Sequence, residues 1–110
     1  MAKKGMKKKP DPFEEEGKRL RALVVEYAES IEDEEILLAD GFEAAILGIT
    51  HNLSPTVVYD YELCVRILVE RDGMKEEDAY EHMEFNVTGA YVGERTPIFI
   101  RTIDSLEKYA

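Results

Sequence analysis

At 110 residues the chain is the size of one domain, with room for a real but modest core. Its single cysteine, Cys64, excludes an internal disulfide and a cysteine-based zinc site. Five of the 14 Lys and Arg fall within residues 1–10, which leaves nine against all 24 acids in the remainder, a balance of −15. Such a domain repels phosphate backbones, which argues against nucleic-acid binding by the folded part and suits an encounter with a basic surface.

Residues 1–12 hold five Lys, Asp11 and two Pro, with almost nothing apolar before Phe13. They are expected to form a disordered Lys-rich tail, solubilising or weakly touching nucleic acid, ahead of a single domain over 13–110. From Phe13 to Ile31 the residues Leu20, Leu23, Val24, Tyr27, Ala28 and Ile31 recur at helical spacing. Glu14, Glu15 and Glu16 complement the positive end of that helix. After an acidic break at 32–35, Ile36-Leu37-Leu38 reads as a short buried strand, and Asp40-Gly41 as a turn. The stretch 44–50 fits a second hairpin strand or one helical turn; Ile46, Gly48 and Ile49 favour the strand.

Residues 51–55 form a loop, and the β-branched and aromatic run 56–59 a strand. Asp60 follows as the N-cap of a helix from Tyr61 to about Arg71 that buries Cys64, Val65, Ile67 and Leu68. Asp72-Gly73 ends it. Glu76, Glu77 and Asp78 open the next helix, whose buried stripe is Ala79, Met83, Val87 and Ala90 and whose end lies near Thr88-Gly89. A closing strand over 96–101 completes the order α-β-β-β-α-α-β, and residues 102–110 fit a short terminal helix. That order predicts an α+β fold, with a small mixed or antiparallel sheet of about four strands covered by two to three helices. No apolar run approaches the roughly 20 residues of a membrane-spanning helix, and no signal-peptide pattern is visible. A cytoplasmic protein with no cofactor and no membrane partner is expected.

The candidate binding residues gather in the second half: His82, Glu84, Asn86, Tyr91, Glu94 and Thr96, with Asp60 before them. His82 and Asn86 share a helix face near several carboxylates, which is the material of an acid–base pair. Two His and scattered acids are too few for a metal centre, and no catalytic set is assigned. Asp60 has a sufficient role as a cap. Asn86, between Phe85 and Val87, is expected either to meet a ligand or to tie the helix end to the turn at 89–94. The two glycines of that turn lack the pattern of a phosphate loop.

These residues carry a resemblance. Ala39-Asp40-Gly41-Phe42, Gly48-Ile49, Tyr59-Asp60-Tyr61 with Cys64, Asp72-Gly73-Met74, and Glu84-Phe85-Asn86-Val87 through Gly89-Ala90-Tyr91-Val92-Gly93-Glu94 to Thr96-Pro97 resemble a family of short hypothetical bacteriophage proteins over about residues 36–100. The resemblance implies a phage origin and the host cytoplasm, and brings no activity with it. Size and acidity then suggest a non-enzymatic protein-binding module that modulates or inhibits a host protein or assembles with itself. The alternative is a small enzyme or nucleotide-sequestering protein with its site around Asp60, His82, Glu84, Asn86 and Glu94.

Overall fold

Helix α1, Glu14–Ser30, is the first element of the computed structural model, which describes residues 10–109. The disorder expected of the Lys-rich tail therefore falls almost wholly outside the described residues. Only part of the predicted stripe on α1 is covered: Val24 and Ala28 are buried with Gly17, and Leu20 packs against the core, while Leu23, Tyr27 and Ile31 are exposed. The cause is close approach at one end of the helix. An atom replacing an α-hydrogen of Gly17 would lie 3.4 Å from the Ala44 nitrogen, so α1 rests its Gly17 side on the short 3₁₀ turn Glu43–Ala45. The apolar stripe is wider than the surface it meets.

The strand expected at Ile36-Leu37-Leu38 does not form. This stretch has no ladder partner; Ile36 and Leu38 lean on the core, and the Ala39 N–H donates to the Tyr59 hydroxyl at 2.7 Å. A side chain satisfies the backbone where a neighbouring strand was expected. The turn at Asp40-Gly41 is present, with Gly41 at φ 95°, but it leads into the 3₁₀ turn.

Three strands remain among the described residues. Strands β1 (Ile46–Ile49) and β2 (Val57–Asp60) pair antiparallel, with an irregularity between Ile46 and Gly48. Strand β3 (Ile98–Ile100) runs parallel to β2, which makes a mixed sheet in the order β1-β2-β3. The fold of the described residues is α+β, with three strands in place of four.

Helix α2, Tyr61–Glu70, starts where predicted: the Asp60 carboxylate accepts the Leu63 N–H at 3.2 Å. Gly73, at φ 74°, closes its other end by donating its N–H to the Val69 carbonyl at 3.1 Å. Tyr59, Ile67, Met83, Val57 and Cys64 are the largest fully buried side chains. Burial first, and the Asp60 charge second, push the Cys64 thiol up to about 12. A thiol reagent at mildly alkaline pH is accordingly expected to label the native protein only as fast as the fold opens; labelling as fast as in denaturant would contradict this burial.

Helix α3 is shorter than its periodicity suggests. It runs Glu76–His82 and then widens into a π turn, Met83–Val87, in which the Thr88 N–H reaches back to the Met83 carbonyl at 2.7 Å. Ala79 and Met83 stay buried and Val87 partly so, but the wider turn rotates the residues beyond it, and Ala90 lies on the surface rather than in the predicted stripe. Helix α4, Ile103–Leu106, is capped by Thr102 and continues as a 3₁₀ turn to Tyr109. No helix among the described residues is long and apolar enough to cross a membrane.

Candidate functional site

The segment from Met83 to Pro97 leaves α3 through the π turn and returns to β3, and both ends of it are fastened. At the first end Met83 is buried, and its carbonyl also accepts from the Thr88 hydroxyl at 3.2 Å. Toward the other end Gly93, at φ 114°, allows a tight turn that Thr96 closes. The Thr96 hydroxyl donates to the Gly93 carbonyl at 2.5 Å and accepts the Val92 N–H at 2.9 Å. Thr96 is thereby a structural residue of the turn.

Arg95 pins the same turn to the body. Its guanidinium donates to the Pro55 carbonyl at 3.0 Å and to the Asp33 carboxylate at 2.7 Å, with the Arg95 side chain only 14% exposed. The Arg95 hydrogen bond, seconded by the Glu35 N–H, holds the Asp33 carboxyl below the usual carboxylate range.

Between these fastenings the segment shows apolar surface. Phe85, Tyr91 and Val92 are 76%, 79% and 62% exposed. Val92 also helps wall an apolar cleft of about 240 Å³, with Leu38, Phe42, Val87, Pro97 and Phe99, and with Asp40, Asn86 and Thr96 also on its lining. The Phe99 ring stacks on Tyr59 at 5.2 Å, so its floor is continuous with the core.

The remaining sequence candidates are dispersed around this segment. Asn86 is exposed, its amide nitrogen 3.3 Å from His82 Nδ1, so it does not tie the helix end to the 89–94 turn as expected. The π turn carries it outward, and Thr96 closes the turn in its place. His82 and Asn86 line an open cleft with Met74, Asp78, Glu81 and Phe85. Glu84 belongs to another, a polar cleft of about 280 Å³ with Tyr61, Thr88 and Arg101, where its carboxylate accepts from the Tyr61 hydroxyl at 2.9 Å. Burial, then that bond and the Glu84 charge, raise the Tyr61 phenol to about 12. Asp60 is spent on the α2 cap, and Glu94 and Tyr91 stand in solvent.

Sequence reasoning missed a polar and aromatic cluster over the start of α2. The Glu62 carboxylate accepts from Tyr80 at 2.6 Å, Lys108 at 2.9 Å, Tyr109 at 3.2 Å and from Arg101. The Arg101 guanidinium lies 4.7 Å from the Tyr61 ring centroid and 5.4 Å from that of Tyr109. The hydrogen-bond partners of Glu62 lie 18 to 47 residues from it, and no local pattern joins them to it.

Burial opposes ionisation of Glu62, but the hydrogen bonds from Tyr80, Lys108 and Tyr109 outweigh it and keep the carboxyl below its ordinary value of 4.5. A lowered carboxyl contributes stability above its unfolded pKa and loses it as pH falls through the folded one. Protection of the amides over residues 103–109, taken against intrinsic exchange at the same pH, is therefore expected to fall below about pH 4.5. Glu62→Gln should show fast exchange there at neutral pH as well, and equal protection in that variant would contradict the assignment. The chain matches no protein-family model, no curated protein and no solved structure.

Proposed function

We propose that the protein is a non-enzymatic binding module that takes a basic protein partner on the cleft between Phe42 and the 83–97 segment. One observation carries this reading: three large apolar side chains, Phe85, Tyr91 and Val92, stand in solvent on a segment fastened at both ends, and Val92 also walls an apolar cleft. Apolar and aromatic surface concentrated in this way is the composition of a protein-recognition patch. The balance of −15 outside residues 1–10 supports a basic partner, because opposite fields speed encounter and like charges are rejected. The phage resemblance makes a host protein the natural partner, modulated or inhibited by occupation of its basic surface.

Tyr91→Ala and Val92→Asp test the reading. Both positions are exposed, so each variant should keep its stability within about 0.5 kcal/mol. Each is expected to abolish capture of a basic partner by the tagged chain, and capture by the parent should weaken as salt rises. Capture that survives both substitutions would remove the cleft from the interface. If light scattering shows a dimer that the same substitutions dissolve, the occupant is a second copy of the chain.

A second reading, a small enzyme or nucleotide-sequestering protein, draws on the polar cleft of Tyr61, Glu84, Thr88 and Arg101. Calorimetric titration with nucleotides tests it, and heat that Glu84→Gln removes would move the function to that cleft.

A further inference from the structure

Lys108 sits in a site with the features of a ligand pocket. Its ammonium donates to Glu62 Oε1 at 2.9 Å and to the Tyr80 hydroxyl at 3.1 Å, and lies 5.8 Å from the Tyr80 ring centroid. Tyr80 donates to the same carboxylate oxygen at 2.6 Å, which fixes both partners in place. A carboxylate, a hydroxyl and an aromatic face together recognise a primary ammonium. Alongside runs a cavity of about 330 Å³ whose walls include Val65, Val69 and Glu76. Those walls offer apolar surface for a four-carbon stem and a second carboxylate nearby.

The segment that brings Lys108 there is lightly seated. Helix α4 buries no residue, and Ile103 is 79% exposed. Residues 107–109 are likewise exposed, and the contacts of Lys108 and Tyr109 with the body are polar. Water and salt compete with contacts of that kind.

We propose that Glu62 and Tyr80 form a lysine-accepting site, occupied internally by Lys108, which a lysine of a basic partner fills by displacing residues 103–109. The idea extends the basic-partner reading, yet the cavity beside Lys108 shares no lining residue with the apolar cleft. A small probe therefore tests it whether or not that cleft takes a protein.

The test is an NMR titration of the full chain with n-butylammonium chloride at constant ionic strength. Lys108→Ala is expected to bind the probe about tenfold more tightly than the parent, because the internal competitor is gone. The Tyr80 ring signals should move, and the added change Glu62→Gln should abolish the binding. Equal affinity in the parent and Lys108→Ala, or binding that survives Glu62→Gln, overturns the proposal. The parent chain supplies an independent measurement: oligolysine should accelerate amide exchange over 103–109. Unchanged exchange there overturns the displacement, whatever the variants do.

Discussion

Tyr59→Phe is expected to cost about 1–3 kcal/mol of stability, because it leaves a backbone donor without its partner. The Tyr59 hydroxyl accepts the Ala39 N–H at 2.7 Å, and the side chain is fully buried. Burial pushes its phenol up to about 12, so it stays neutral and keeps its bond through the ordinary pH range. Tyr59→Ala removes the ring as well and opens a cavity against Phe99, for about 3–5 kcal/mol. Urea unfolding of the two variants separates the terms. If Tyr59→Phe melts like the parent, water reaches Ala39 and the bond does not order the 36–40 stretch.

Met83→Ala is the second large effect. Met83 is fully buried at the head of the π turn, and emptying such a site costs about 2–5 kcal/mol. The loss should spread into the candidate surface, since the buried Met83 side chain anchors the residue whose carbonyl receives both bonds from Thr88. Phe85→Ser, two residues on and 76% exposed, is the comparison: it should stay within about 0.5 kcal/mol while removing part of the partner's footing. Equal destabilisation by the two would mean that Phe85 is covered in solution, by a partner or by a second copy.

The contrast between these neighbours shows what could be read from the order of residues. Helix α2 was legible from cap to cap because its signals are local: Asp60 one residue before it, Gly73 just past its end, and apolar residues at i, i+3 and i+4 between them. Helix α3 was legible to His82 and misread afterwards. Periodicity assumes a constant pitch, and one wider turn changes which residues face inward. The missing strand at 36–38 has the same kind of cause: an apolar triplet specifies burial, but Tyr59, 20 residues beyond Ala39, decides what its backbone bonds to. In the 83–97 segment the sequence offered polar candidates and not the apolar surface that the fold exposes. Apolar Phe85 and Val92, which look like core residues, are surface, while Thr96 closes a turn. Glu62 gave no signal, because its partners come from elements brought together only by the fold.

The parallel pairing of β2 with β3 also sets an order of events. β1 and β2 meet across a short loop, whereas Val58 pairs with Ile98, 40 residues away, and Arg95 reaches Asp33 across 62. Contacts that close long loops bear their entropy before any reward, so the hairpin with α2 is expected to assemble first and the return of β3 to come late. The stretch between Met83 and Pro97 would then take its shape in the final step of folding and give it up in the first step of unfolding. Native-state hydrogen exchange should find the amides of 98–100 and of the Thr96 turn opening at lower free energy than those of α2. Uniform protection across both would describe a molecule that opens only as a whole, and a partner gripping this stretch would then stabilise every element at once.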